Sequence, residues 1–472
     1  MKHYNNTLED LAKEALAEHG LLAQFPADAL REVEAMKPKP LPEGLMDLRS
    51  LFFVSIDNED SRDLDQLTYA KGNRIYISVA DVNSYVKAGS AVDAYARHNT
   101  TSIYTSGGMF PMLPLKLSND FTSLNENCDR SSFIVELEVD KEGKSTLKDL
   151  YPALVRNQKK LAYPQVARWL TGEEPWPSEE LRKQLVLQDR LAQRMLKYRT
   201  KQGALRFATI ELRAILQQGV AIKIEERAKE NRAEQLIENF MIAANVGVTR
   251  YFIDHKLPVL RRVVRVPKRW NRIVELAKSL GTKLPSRPNP EALRDFLFKE
   301  QKKHPDQFPD LSIAVIKLIG RGEYVALGKE GHFDLALRDY AHTTAPNRRY
   351  PDLVMQRILK AHLFGTGGVS KKELSAIARQ CTEKESEVMK VERRMIKCAA
   401  AMVMSKDIGK KFHVMVTGAS PKGTWVRLAH PPIEGKLTRD CEGLDVGDRI
   451  TVELLSVDVR KGHIDFGRCS RS

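Results

Sequence analysis

At 472 residues the chain is too long for one ordinary domain and ample for a large core with one or two small modules. Lys and Arg number 76 against 61 for Asp and Glu, and the resulting charge of +15 would attract a polyanion such as nucleic acid, though a surplus spread over a large soluble surface gives the same total. The start of the chain lacks an apolar leader core, no run nears the roughly 18 apolar residues that span a bilayer, and the five scattered cysteines include no CxxC pair. Membrane, secreted and zinc-ribbon classes are thereby disfavoured, and a cytoplasmic protein with reduced thiols is expected.

In chain order, residues 7–36 carry two short helical patterns, the first opened by a capping box (Thr7 with Asp10) and closed at Gly20. A Pro-rich stretch, "KPKPLPEG", marks a boundary near residue 46. From there "LRSLFFVSI", "NRIYISVADV", "SSFIVELEVD" and the segment around 204–216 read as strands. Helical periodicity occupies 165–201, 229–256, 268–281 and 370–406, with surface insertions at 171–178 and 282–290. Strands precede helices with some mixing, so the class is α+β. From about residue 407 short strands alternate with Gly-containing turns, which suggests a small five-stranded barrel of the OB type. Its Trp425, Phe412 and Phe466 could stack on bases or fill the barrel core. Three units follow: an N-terminal helical segment (1–46), a large domain (47–405) and the barrel (406–472).

Within the large domain, "LFFVSIDNEDSRDLDQLTYA" places Asp57, Glu59, Asp60, Asp63 and Asp65 on what should be an irregular loop leaving a strand over 51–56. Asp63 and Asp65, two apart, point the same way in an extended chain, and Asp57 joins them if the loop folds back. Gathered carboxylates repel unless a hard cation such as Mg²⁺ sits among them. An EF-hand is excluded, because Arg62 stands where Gly is required and Thr68 where Glu is required. A solvated acidic loop is the competing reading. A second segment, "DYAHTTAPNRRYPDLVMQR", offers Arg348 and Arg349, planar bidentate ligands for phosphate unless they are spent on Asp339 or Asp352. Acidic loop, arginine loop and basic chain together suggest phosphodiester chemistry.

These two segments, with "PMLPLKLSNDFTSLN" at 111–125 and "ENFMIAANVGV" at 238–248, resemble the catalytic domain of the ribonuclease II/ribonuclease R (RNB) family of exoribonucleases over about residues 50–405. The tail resembles the OB-type RNA-binding domain named after ribosomal protein S-one. The resemblance implies a mixed β-sheet or barrel wrapped by helices, and a Mg²⁺-dependent (Mn²⁺ also possible) processive 3′→5′ hydrolysis of single-stranded RNA to nucleoside 5′-monophosphates. It implies Asp57, Asp63, Asp65 and Gln66 as metal ligands, Asp65 being the acid least dispensable for cleavage. Arg348 then lies at the scissile phosphate, Arg349 beside it on the RNA, and Glu392 near the RNA end. Tyr104 and Phe207 clamp the terminal bases, Tyr163 contributes to RNA preference and Glu238 contacts a ribose.

Two departures stand out. Gln66 replaces the family's fourth acid, so one metal should bind more weakly, and the N-terminal segment has no room for paired cold-shock domains, which should weaken the grip on RNA. On this reading one or two Mg²⁺ ions, about 3.5–4 Å apart if paired, are held by the aspartates, Arg348 neutralises the transition state, and 2′-hydroxyl contacts exclude DNA. Single-stranded RNA is the expected partner of a monomer with no organic cofactor and no membrane. A catalytically weakened RNA-binding protein is the alternative that Gln66 suggests. An oligosaccharide- or protein-binding scaffold leaves both loops unexplained.

Overall fold

The computed structural model describes residues 7–208, 210–228, 231–365, 368–420 and 423–469. Residues 1–6 of the expected N-terminal unit, residue 209 of the segment expected at 204–216, residues 229–230 of the one expected at 229–256, residues 366–367 of the large domain, and 421–422 and 470–472 of the barrel unit lie outside the described residues.

The large domain is organised by an open seven-stranded sheet. Its order is Met46–Asp47, Ser145–Arg156, Asp129–Val139, Arg74–Ala80, Gln66–Lys71, Val54–Asp57, Lys159–Ala162. The inner pairs are antiparallel and both edges pair in parallel. Helices Glu179–Lys201 and Arg232–Asp254 pack on it, and helix Tyr350–Phe364 is buried on almost every side although it carries Asp352, Gln356 and Arg357. Its buried charges are matched, Arg357 to Asp93 at 2.6 Å and Lys360 to Asp81 at 2.9 Å. Two expected strands are shorter in the structure. The one expected over 51–56 begins at Val54, since Leu51 and Phe52 pack against the core from irregular backbone. The one expected over 204–216 begins at Ile210, because Leu205 and Phe207 turn into a separate apolar cluster. That cluster belongs to an insert of three helices, Trp270–Ser279, Pro290–Lys303 and Phe308–Ile319.

The N-terminal helices do not stand apart as a body of their own. Helix Ala27–Ala35 gives Ala29 and Val33 to the main core. Helix Leu8–Glu18, with the expected Thr7–Asp10 capping box, buries Leu8, Leu11, Ala12, Ala15 and Leu16 in a second core. That core is shared with the long helix Lys371–Met404, the barrel, the hairpin Ile210–Gln217/Val220–Ala228, and Ile103 and Phe110. Ion pairs clasp the same face: Glu14 with Arg460 at 3.0 Å, His19 with Glu387 at 2.7 Å, and Glu18 with Arg394.

The C-terminal unit is a closed barrel of five strands. Phe466 is fully buried, so it fills the core, and Phe412 packs on it with ring centroids 6.2 Å apart. The Phe466 ring fits only because residue 435 is glycine: a Cβ there would stand 2.5 Å from it. Trp425 is half-buried on the barrel flank. Among the described residues, no helix is long and apolar enough to cross a membrane.

Candidate active site

Strand Val54–Asp57 ends on Asp57, and the chain returns as Gln66–Lys71. Continuing the antiparallel register Val54↔Thr68 sets Asp57 across from Asp65, and Ile56 across from Gln66. Side chains alternate along extended backbone. Asp57 and Asp65 therefore share one face, while Gln66 shares the other with Thr68, whose hydroxyl meets Gln188 of helix Glu179–Lys201 at 2.8 Å. The loop between them is pinned. Ser61 donates to Asp57 at 2.9 Å, Lys160 to the Ser61 carbonyl at 2.5 Å, and Ser123 to the Arg62 carbonyl at 2.6 Å. Ser123 also accepts from the Leu64 N–H at 3.0 Å, and Leu64 is buried beneath the loop.

The arginine segment is gathered by the first turn of helix Tyr350–Phe364. Pro351 suits that turn, and buried Asp352 accepts from the Ala345 N–H at 2.8 Å and from Arg349 at 2.7 Å. Residues 100–102 run beside it: the Ser102 N–H donates to the Arg348 carbonyl and the Tyr350 N–H to the Thr100 carbonyl, both at 2.9 Å. The result is a convergence on Asp65. Arg348 Nε donates to its Oδ2 at 3.1 Å, and the Asn347 N–H donates to its Oδ1 at 2.8 Å. Two residues past Ser102, on the hairpin Ile103–Thr105/Gly108–Phe110, the Tyr104 hydroxyl lies 3.4 Å from Asp63.

The neighbouring arginines differ. Arg348 has a side chain 42% exposed, and its terminal nitrogens have no hydrogen-bond partner among the described residues. Arg349 is spent on Asp352, the ion pair anticipated as its competing role, whereas Asp339 is taken by Arg261 at 3.0 Å. Asp65 is 1% exposed, and burial lifts its carboxyl to about 7, with the Asp63 charge adding to the rise and Arg348 opposing it. Asp63 is raised by burial too, Arg348 again opposing and Asp57 adding.

Among the described residues, no three His, Cys, Asp or Glu side chains converge closely enough to hold a metal unaided. The donor set still suits a hydrated Mg²⁺. Burial disfavours the charges of Asp63 and Asp65, and repulsion between neighbouring acids adds to this; a cation relieves both, and such an ion normally completes its shell with water and substrate phosphate.

Other expected residues lie nearer or farther. Tyr163 starts helix Tyr163–Thr171 just past the edge strand, where Ala162 pairs with Asp57; burial, then the Asp57 charge, raises its phenol. Glu238 lies on helix Arg232–Asp254, half exposed and 4.0 Å from Arg199. Glu392 sits on the long helix, whose Val388, Val391 and Met395 share a core with Ile103, the neighbour of Tyr104. Phe207 is not brought to Tyr104 by any described contact; it packs on the three-helix insert. Arg227, which joins Glu234 at 2.6 Å and Asn58 of the acidic loop at 3.5 Å, is not among the expected residues, because a lone arginine in a strand carries no signal. Asn347 was also passed over, though it stands between Pro346 and the two arginines.

Residues 45–365 match the family model described as the RNB domain, and residues 410–469 that of the RNase II-type exonuclease C-terminal S1 domain. Ribonuclease R of Thermotoga maritima is 31% identical over 97% of this chain and 69% of its own length. The structure of Mycoplasma genitalium RNase R in complex with ribose methylated single-stranded RNA aligns with a TM-score of 0.91 at 25% identity, covering 98% of this chain and 78% of that one. Yeast Ssd1, described as a pseudonuclease, shares the fold alone, with a TM-score of 0.71, 18% identity, and 92% and 56% of the two chains covered. The chain spans 60–69% of the length of the first curated relatives it matches.

Proposed function

The chain belongs to the RNB family, and from that membership we propose that it is a metal-dependent 3′→5′ exoribonuclease that hydrolyses single-stranded RNA to nucleoside 5′-monophosphates. The observation that carries this reading is the convergence on Asp65, where three segments far apart in sequence bring Arg348, Asn347 and the Tyr104 hairpin to one buried carboxylate. Asp57, Asp63 and Asp65 would hold the divalent ion. When bound, the ion would polarise the scissile phosphate and activate the attacking water. Arg348, with its terminal nitrogens uncommitted, neutralises charge that builds on the phosphate oxygens. Tyr104, exposed at its hairpin, stacks on the terminal base, while its hydroxyl against Asp63 fixes the ring beside the acids. Arg349 acts at one remove by holding Asp352 and hence the turn that delivers Arg348. A monomer working in the cytoplasm on RNA, with Mg²⁺ or Mn²⁺, completes the proposal.

A 5′-labelled oligoribonucleotide incubated with Mg²⁺ or Mn²⁺ tests it. Loss of 3′ nucleotides as 5′-monophosphates, abolished in Asp65→Asn with binding retained, is the expected result. Gln66 favours one other reading, an RNA-binding protein whose cleavage has been lost, and intact RNA at every metal concentration with a clear gel shift would select it.

A further inference from the structure

Tyr104 sits on a hairpin too small to hold its own shape. The strands Ile103–Thr105 and Gly108–Phe110 have three residues each and form a sheet of their own, and an isolated two-stranded hairpin is marginal in water. Alternation of side chains gives it two faces. Tyr104 and Met109, paired across the strands, are exposed, whereas Ile103 and Phe110, also paired, are buried. The hydroxyl contact to Asp63, at 3.4 Å, is long and holds only one end of the ring. The rest of its placement has to come from behind the hairpin.

Helix Leu8–Glu18 stands there. Leu8, Leu11, Ala12, Ala15 and Leu16 share one core with Ile103 and Phe110. At the tip of the hairpin the approach is closer still: a Cβ on Gly107 would overlap the Leu8 carbonyl and stand 3.1 Å from the Ala12 Cβ, so only glycine admits the helix. The Leu8 N–H, one of the donors that a helix start leaves unmatched, donates to the Gly219 carbonyl at 3.0 Å. Gly219 lies in the turn of the second hairpin, whose Arg227 reaches Asn58 of the acidic loop. Just beyond the helix, Leu22 closes the other end. Its N–H donates to Asn99 Oδ1 at 3.0 Å, and its carbonyl accepts from Asn99 Nδ2 at 2.8 Å, Asn99 being fully buried five residues before Tyr104. Residues 8–22 therefore grip the stretch 99–107 at both ends and back it in the middle. We propose that helix Leu8–Glu18 is a brace that sets the Tyr104 ring beside the acids, with Leu8 and Gly107 as positioning residues, so that affinity for an RNA 3′ end depends on the N-terminal segment. The RNA consequence rests on the stacking role given to Tyr104 above.

The test uses the full chain. Gly107→Ala pushes the tip off the Leu8 carbonyl, and Leu8→Ala thins the core behind the hairpin. Val33→Ala, in the main core, is the control for lost stability alone. Two readouts are taken: the fluorine resonance of 3-fluorotyrosine placed at 104 in RNA-free protein, and oligoribonucleotide affinity in EDTA. Gly107→Ala and Leu8→Ala should shift or broaden the resonance and weaken affinity by about five- to tenfold, the low end for one stacked base, while Val33→Ala leaves both at parental values. The affinity loss should vanish when either substitution is combined with Tyr104→Ala. A parental resonance in folded Gly107→Ala would overturn the proposal. So would an undiminished affinity loss in the Tyr104→Ala background, or equal effects from Val33→Ala, which would mark the helix as structural only. If Tyr104→Ala alone binds RNA like the parent, the stacking reading falls while the fluorine resonance still decides whether the helix sets the ring.

Discussion

Around Asp65, three distant segments are joined by main-chain hydrogen bonds: residues 345–350 to 100–102, and the Asn347 N–H to the carboxylate itself. The barrel is tied in differently. Apart from the core it shares with the long helix, helix Leu8–Glu18 and the hairpin Ile210–Gln217/Val220–Ala228, it reaches the rest of the chain through side chains: Arg427 to Asp310 of the three-helix insert, Arg460 to Glu14 at 3.0 Å and His430 to Glu226 of that hairpin at 3.0 Å. Backbone pairing fixes a position to within a fraction of an ångström and is indifferent to salt. Pairs between half-exposed side chains are worth less and are screened. The proposed chemistry is thus mounted rigidly, and the barrel is held by contacts that can give.

The sharpest way to break this contrast is at Asp65. Asp65→Asn should reduce RNA hydrolysis by at least about 10³-fold, judged by monophosphate release, while gel-shift affinity holds. The same residue sets a pH test of stability in metal-free protein. Its folded pKa of about 7 lies above the ordinary value of 3.8, so its contribution is fully present below that lower value and is lost as pH rises through about 7. Denaturant midpoints of the parent should therefore fall over that window, whereas Asp65→Asn should flatten the fall and Mg²⁺ should oppose it.

The adjacent arginines come next, because they divide chemistry from framework. Arg348→Ala should lower kcat by about 10²–10³-fold with little change in stability. Arg349→Ala leaves buried Asp352 uncompensated and should cost about 3 kcal/mol in urea unfolding, with hydrolysis per folded molecule affected less. If the two phenotypes were exchanged, the assignment of Arg348 to the phosphate would be wrong. Tyr104→Ala should weaken RNA binding by about 1–3 kcal/mol, and Tyr104→Phe, which loses only the long contact to Asp63, by much less. The smallest effect belongs to the barrel. A double-mutant cycle on Arg427 and Asp310 should give a coupling under about 1 kcal/mol that vanishes at high salt; a large, salt-resistant coupling would erase the contrast drawn here.

How much of this was legible beforehand follows the range of the forces involved. The barrel, the long helix and the capping box at Thr7 are written in local periodicity and turn residues, and the structure has them. Asp65 and Arg348 were legible as chemistry, because clustered acids and paired arginines are costly without a purpose. Their meeting was not, since it depends on residues 100–102 running beside 348–350. The fate of Arg349 was left open between phosphate and Asp352, and burial of Asp352 decides it. Phe207, expected to clamp the terminal bases together with Tyr104, packs partly buried on the three-helix insert, and an aromatic in a short apolar run gives no sign of which cluster it will join. Arg227 and Asn347 act through partners distant in sequence, and single-residue identity cannot announce that.

The helix Leu8–Glu18 has a consequence for the order in which the molecule is made. Its partner Arg394 lies 376 residues downstream of Glu18, and the core it enters also takes in the flanks of Tyr104 and the barrel. At roughly 5–20 residues per second of synthesis, about 20–75 s pass before those partners exist. Throughout that interval Leu8, Leu11 and Leu16 can bury only against Ile103, Phe110 and, once it is made, the hairpin Ile210–Gln217/Val220–Ala228, and the rest of their core is missing. Contacts so distant are closed late. The core behind the hairpin that carries Tyr104 is therefore completed only as the last quarter of the chain appears, so the surface proposed to grip RNA is finished last, while the chain is still attached to the message that encodes it.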